Sequence, residues 1–369
     1  MLGWRAPLGS ALLRVSTSQG RRSPPEHKGN CYLDHSILTM NLNEYDHIIV
    51  AFSGGKDSTA CFLHLLERGV DNSKIELWHH LIDGAPGSEP FMDWPITEDY
   101  CREFAKEFEV PIYFSWRDGG FLKEMLRDGD STGKVFWENP DGTVESSGGN
   151  GPKGTRRKFP QVSADLRVRW CSAYLKIDVM SAAINNQERF KGKKTLVVTG
   201  ERALESKSRS KYQDFEDHRC NGKIRTVHHW RPILYWDEVD VWSIIEDHDV
   251  LVHPAYQLGW SRLSCITCIF GNADQWASAA NLYPDMVQKI ADYEEEFGIT
   301  IKRNKSVKDL VREGEVYNSP LLGHGFDVGI PDSEIISEIE IENIRNSKTT
   351  SPDQWKLPIG AYGASDGPS

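Results

Sequence analysis

His47-Ile48-Ile49-Val50-Ala51-Phe52-Ser53-Gly54-Gly55-Lys56-Asp57-Ser58-Thr59 is the stretch whose reading decides the fold. Its apolar run, Ile48 to Phe52, reads as a buried strand. Gly54 and Gly55 then permit a tight turn and close approach of the backbone to a ligand. Asp57, Ser58 and Thr59 can open a helix, and Cys61, Phe62, Leu65 and Leu66 give that helix an apolar face. A strand, a glycine turn and a helix N-terminus together make an anion site, because free N–H groups and the helix dipole both favour negative charge. Lys56 adds a full positive charge, and Ser53 and Ser58 add hydroxyl groups.

The loop is not a Walker A sequence. That motif places a glycine five residues before its Gly-Lys pair and a Ser or Thr after the lysine. Here Val50 and Asp57 occupy those positions.

The rest of the chain bounds what such a loop can serve. With 369 residues and a hydrophobic fraction of 39%, it has material for two modest domains or one large one carrying insertions. No apolar run is long enough to cross a bilayer, and a cytoplasmic location with no membrane partner is expected. A net charge of -11 argues against a generally basic nucleic-acid binder while leaving room for a local basic groove. The seven cysteines suit a reducing compartment better than a disulfide framework. Residues 1–39 are Arg-rich and acid-poor. They read as a targeting presequence or as a disordered or artefactual extension ahead of Met40, and the second reading is preferred.

From Met40 onward, strands alternate with helices. Strands are expected at Ile75 to Ile82, Pro111 to Trp116, Leu196 to Thr199 and Val227 to Ile233. Helices are expected at Asp99 to Phe108, Ala164 to Ile184, Asp237 to Glu246 (Val239, Trp242 and Ile245 inward) and Asn272 to Ala280, with a further one opening at Pro284. This pattern predicts an α/β fold: a five-stranded, mostly parallel sheet with flanking helices and a helical C-terminal portion closing over the ligand site. Such sheets bind ligands beyond the carboxyl ends of their strands.

The expected organisation is a core at 40–270, a helical portion at 271–324 and an acidic, partly disordered tail at 325–369. That tail has an amphipathic stretch at 335–344 and a poorly ordered final twenty residues. A Gly/Ser/Asn/Pro-rich insertion at 128–161 carries a small hairpin around Asn139-Pro140-Asp141-Gly142. It also brings Lys153, Arg156, Arg157 and Lys158, either as a solvated mobile loop or as a basic loop touching a phosphate-bearing substrate. The His79-His80 and His228-His229 pairs alternate faces, so one of each reads as packed or solvated and none as a metal ligand, and Trp230, Trp236, Trp242 and Trp260 read as core residues.

Several motifs occur in order. Ser53 to Ser58 resembles the PP-loop, SGGKDS, of the ATP pyrophosphatase superfamily. Downstream come Trp170-Cys171-Ser172-Ala173-Tyr174-Leu175-Lys176, then Gly200-Glu201-Arg202 through Glu205-Ser206 to Arg209. Arg231-Pro232-Ile233 through Val241-Trp242 follows, and His253-Pro254 through Arg262 to Cys265 and Cys268 closes the series. Together they resemble the phosphoadenosine phosphosulfate reductase-like branch of that superfamily, over roughly 46–276 with the insertion unmatched.

The resemblance implies an adenine-nucleotide α-hydrolase-type fold and site. ATP or a phosphoadenosine phosphosulfate-type nucleotide would be held by Ser53, Gly54, Gly55, Lys56, Asp57 and Ser58. Arg202, Ser206 and Arg209 would meet the phosphate or sulfonate end, with Arg262 nearby. Lys56, Asp57, Arg202 and Arg209 are the catalytic candidates, and Asp57 is a candidate Mg²⁺ ligand.

Sulfonucleotide reductases of the family use a cysteine in a C-terminal motif, whereas here no cysteine follows Cys268. Cys171, Cys265 and Cys268 are candidates for a three-thiolate [4Fe–4S] cluster, for a Zn site completed by a fourth ligand such as His253, or for plain buried packing. The expected activity is ATP-dependent adenylation coupled to sulfur transfer, with a nucleic-acid acceptor or a sulfur-donor protein as partner. The alternatives are a sulfonucleotide reductase served by an external thiol, and a non-catalytic nucleotide-binding module.

Overall fold

The structure, a computed structural model, describes residues 40–319 and 355–362. The expected N-terminal extension at 1–39 and the amphipathic stretch at 335–344 lie outside the described residues. The chain divides after Asn41, and the strands and helices of the described residues belong to the unit that begins at Leu42.

The strands in chain order are β1 (His47–Ala51), β2 (Ile75–Leu81), β3 (Ile112–Arg117), β4 (Lys134–Glu138), β5 (Val144–Gly148), β6 (Lys194–Val198), β7 (Phe215–Asp217) and β8 (Thr226–Trp230). They form one sheet in the order β5-β4-β3-β2-β1-β6-β8-β7. The five strands expected from the sequence are its parallel part, β3-β2-β1-β6-β8. Three antiparallel strands widen it at the edges. β4 and β5 come from the insertion. Val135 and Trp137 are buried, and Trp116 and Phe136 stack across the β3–β4 pair, so the segment continues the sheet. β7 is only three residues long and reads Phe-Glu-Asp, which gives no alternation to detect.

β1 lies in the middle. Ile48, Ile49 and Val50 are fully buried, because both faces of a central parallel strand are covered. Burial of each such side chain stabilises the fold by about 1.5–3 kcal/mol. The chain proceeds from β1 to β2 and β3 on one side, then returns to place β6 and β8 on the other. The carboxyl end of β1 is therefore a topological switch point, where a crevice opens between diverging connections.

The helices are α1 (Lys56–Glu67), α2 (Thr97–Glu107), α3 (Gly120–Met125), α4 (Trp170–Ser172), α5 (Asp178–Asn186), α6 (Glu238–Asp247), α7 (Pro254–Gln257), α8 (Ala273–Leu282), α9 (Pro284–Phe297) and α10 (Val307–Glu313). A π-helical turn, Ala173–Ile177, joins α4 to α5. On one face of the sheet, Val179, Ala183, Ile184 and Phe190 pack on Ile49, Trp78, Val197 and Val227. Near α1, Phe52, Phe62, Phe104 and Phe108 form an aromatic stack.

Two helical expectations change. The helix expected from Ala164 starts at Trp170, because Asp165 closes a turn first. Its N–H donates to Ser163 Oγ, its carboxylate accepts from Arg167 N, and its carbonyl accepts from Val168 N and Arg169 N. Val239 was expected inward on α6 but is exposed. The buried stripe is Val241, Trp242, Ile244 and Ile245, and at 3.6 residues per turn Val239 falls on the opposite side. Trp230, Trp242 and Trp260 are core residues as expected.

Part of the stretch expected to be poorly ordered lies among the described residues. Residues 355–362 are seated on the α7 region: Trp355 Nε1 donates to Val250 O at 3.1 Å, and Gly360 N donates to Tyr256 O at 2.8 Å. These contacts are made to main-chain carbonyls, for which the tail sequence carries no signal. Among the described residues no helix is long and apolar enough to cross a membrane.

Candidate nucleotide site

The loop between β1 and α1 closes on itself through its two serines. Gly55 N donates to Ser53 Oγ at 3.3 Å, Ser53 Oγ lies 3.3 Å from Ser58 Oγ, and Ser58 Oγ donates to Gly55 O at 2.9 Å. Ser53 N adds a bond to Ser58 Oγ at 3.2 Å. Since the Ser58 proton goes to Gly55 O, Ser58 accepts from Ser53. Gly54 sits at φ +77, a backbone region that glycine enters without strain, and a side chain there would press on Tyr100 and Cys101. Both serines thus shape the loop, whatever else they touch.

A second segment holds the loop from above. Tyr256 Oη accepts from Lys56 N at 2.9 Å and from Leu263 N at 3.2 Å. The Leu263 side chain lies against Gly54 and Gly55. Closure over the loop therefore comes from the stretch between His253 and Cys268, ahead of the C-terminal helices expected to provide it. Tyr256 carried no functional reading in the sequence. Its only signal is its place in the His-Pro-x-Tyr motif.

The charges at the first turn of α1 are arranged in opposition. Lys56, 3% exposed, has its ammonium 3.3 Å from Asp57 Oδ2 and 3.4 Å from Glu238 Oε1. Arg202 Nε donates to Asp57 Oδ1 at 2.7 Å. Burial alone would raise the Asp57 carboxyl, but Lys56 and Arg202 hold it below the usual range. Burial alone would lower Lys56, but Asp57 keeps it above its ordinary value. Asp57 and Lys56 therefore stay ionised at neutral pH. Both Asp57 oxygens face cations, Lys56 on one and Arg202 on the other. Gly200, at the end of β6, approaches Asp57 so closely that a Cβ would lie 2.8 Å from its main-chain carbonyl carbon.

Beyond Arg202 the β6–β7 connection bends twice. Glu205 is its organiser: it accepts from Arg202 N at 2.9 Å and pairs with Arg209. Ser206 Oγ accepts from Arg209 N at 3.2 Å, so the hydroxyl supports the turn that carries Arg209. Arg169, just before α4, is a residue the sequence reading missed. Its Nε is buried without a hydrogen-bond partner among the described residues. Burial, with the charges of Arg209 and Arg262, pushes its guanidinium below its ordinary value. Arg169, Arg209 and Arg262 therefore lie within electrostatic reach, an arrangement that favours an anion.

Cys171, Cys265 and Cys268 are each partly exposed. Cys268 lies near both other thiols and raises them electrostatically, while burial is the larger cause. Cys171 is pushed up to about 11, so its thiol keeps its proton at neutral pH. Among the described residues no three His, Cys, Asp or Glu side chains are grouped to hold a metal ion. The three-cysteine metal centre expected from the sequence is thus not assembled. His253 does not serve as a fourth zinc ligand: it accepts from Ala255 N through Nδ1 at 3.1 Å, and its Nε2 lies 3.3 Å from Thr97 Oγ1, leaving no nitrogen for a metal.

Two basic residues of the insertion take structural roles. Arg156 bonds the buried Glu124 at 2.7 Å and stacks on Trp170 and Tyr174. Arg157 pairs with Glu296. Two of the four cations imagined for a phosphate-bearing substrate are therefore already neutralised.

Comparison with known proteins agrees with this geometry in part. Residues 150–270 match the phosphoadenosine phosphosulfate reductase domain. That span holds Arg202, Arg209, Arg262 and the three cysteines, and the Ser53–Ser58 loop precedes it. An uncharacterised protein of Methanocaldococcus jannaschii is 26% identical over 70% of this chain and 50% of its own length. An adenosine 5′-phosphosulfate reductase of Burkholderia cepacia is 30% identical over 19% of this chain and 27% of its own. The chain spans about half the length of the Methanocaldococcus relative. A Candida auris phosphoadenylyl-sulfate reductase structure superposes with a TM-score of 0.35 at 14% identity, covering 63% of this chain and 85% of that one, too low to carry an argument.

Proposed function

We propose, for a chain whose residues 150–270 carry the phosphoadenosine phosphosulfate reductase domain, that it is an enzyme acting on the α phosphate of an adenine nucleotide. The phosphates lie along the Ser53–Ser58 loop and the first turn of α1, where main-chain N–H groups and the helix dipole attract them. An acceptor oxygen attacks the α phosphorus, the bond to the bridging β-phosphate oxygen breaks, and pyrophosphate leaves. A sulfur nucleophile then displaces AMP from the adenylated acceptor. Lys56 and Arg202 neutralise the departing pyrophosphate, and this electrostatic effect carries the catalysis. Mg²⁺, arriving with the nucleotide, would supply further neutralisation through phosphate oxygens.

The supporting observation is the arrangement of Lys56 and Arg202 around Asp57. Two buried cations stand at a helix N-terminus with protein carboxylates as counter-charge, and an entering pyrophosphate group can exchange with those carboxylates.

A second reading, a sulfonucleotide reductase, draws support from the matched domain. In that case an external thiol attacks sulfur, since burial and Cys268 keep the Cys171 and Cys265 thiols protonated. Product analysis separates the two. AMP and pyrophosphate from ATP support adenylation, and sulfite from phosphoadenosine phosphosulfate with a dithiol supports reduction. Neither product, with ATP still bound, leaves a nucleotide-binding module.

A further inference from the structure

The described tail, 355–362, runs beside two of the groups that hold Lys56. Gly360 N donates to Tyr256 O at 2.8 Å, on the residue whose hydroxyl accepts from Lys56 N. A side chain at Gly360 would meet Trp260 O at 2.0 Å and Tyr256 O at 2.8 Å, both of them backbone atoms that cannot swing away. Trp355 ties the start of the segment to Val250 O, and Pro358 and Gly360 are buried. At the far end, burial and then the nearby Glu238 carboxylate raise the Tyr362 phenol, and Glu238 pairs with the Lys56 ammonium.

We infer that the segment Trp355–Tyr362 is a positioning strap for the nucleotide loop, holding Tyr256 so that its hydroxyl keeps the Lys56 and Leu263 amides, and with them the loop that receives phosphate, in place. The strap touches no phosphate itself. It acts through α7, a four-residue helix too short to hold its own orientation. Leu357, Ile359 and Tyr362 are exposed on its outer side, as expected of a segment that docks through its backbone and small residues. The consequence for nucleotide affinity rests on the function proposed above. The mechanical link from Gly360 to Lys56 does not.

The test uses the full chain and Gly360→Val. Amide hydrogen exchange is read at Lys56 and Leu263, with β1 and β6 amides as internal controls and ATP affinity measured in parallel. The expected result is exchange about tenfold faster at Lys56 and Leu263, unchanged protection in β1 and β6, and ATP affinity lower by a similar factor. Unchanged exchange at Lys56 and Leu263 in the folded variant overturns the strap. If the native chain binds no ATP, the nucleotide reading fails, while the exchange comparison still decides the strap. Should Gly360→Val not fold, Trp355→Phe, which removes the indole N–H bond to Val250 together with part of the ring, is read the same way.

Discussion

The hydroxyl of Tyr256 accepts a hydrogen bond from the main-chain N–H of Lys56 at 2.9 Å, across 200 residues of sequence. The same oxygen accepts from Leu263 N. One phenol thus fixes both the start of α1 and the loop that covers it. Tyr256→Phe leaves two amide donors without their acceptor, which costs about 1–3 kcal/mol where they stay buried. The expected outcome is a modest fall in denaturant midpoint together with a fall in ATP affinity of about tenfold, followed by equilibrium titration.

Glu238 opposes the nucleotide. Its carboxylate lies 3.4 Å from the Lys56 ammonium and is 32% exposed, so the pair contributes little to stability, under about 1 kcal/mol. Glu238→Gln frees Lys56 from one of its two counter-charges. ATP or inorganic pyrophosphate should then bind a few-fold more tightly, on the order of the worth of one screened charge pair, with the melting temperature barely moved. Weaker binding in this variant would mean that Glu238 helps to present Lys56.

Gly200 is a close-approach glycine. An alanine Cβ would stand 2.8 Å from the Asp57 carbonyl carbon, so β6 and α1 must separate. Gly200→Ala should destabilise the protein by about 1–3 kcal/mol, measured by chemical denaturation. It should also lower nucleotide affinity, because the strand end carries Arg202.

Acid should weaken the fold before its carboxylates protonate. Burial lowers His79 from 6.5 to about 4 and His253 from 6.5 to about 3. Both are neutral in the folded protein and bind protons more readily when unfolded. Their contribution is complete above pH 6.5 and is lost as pH falls towards the folded values, on the order of a few kcal/mol together. Asp93, raised by burial to about 6, acts in the opposite sense as pH drops from 6 towards 3.8. A melting temperature that falls between pH 7 and pH 5 agrees with the histidine balance. One that rises would contradict it.

The sequence shows the parallel sheet because its strands are short apolar runs with helices between them, and Ile48 to Val50 can sit only in a central strand. The loop from Ser53 to Ser58 was legible for the same reason: glycines, a lysine and a helix start coincide. The edge strands were harder. β7 is three residues of mixed polarity, and the insertion shows its hairpin turn but not that Trp137 and Val135 bury in one core with α5. The site's internal opposition was not legible at all. Glu238 and Tyr256 reach Lys56 through tertiary contacts from distant segments, and no local spacing marks them. The cysteines are the reverse case. Their spacing suggests a shared metal, but in the fold burial raises Cys171 and Cys265, and no metal-holding group forms among the described residues.

The central claim is that the Ser53–Ser58 loop grips the phosphates of an adenine nucleotide, and it is tested most directly by calorimetric titration of ATP into the native protein and into Lys56→Met. The methionine keeps the length and buried stem of the side chain and removes the charge. Measurable binding by the native protein, weakened about tenfold or more in a variant that still folds, is the predicted result. Equal affinity in the two proteins would contradict it.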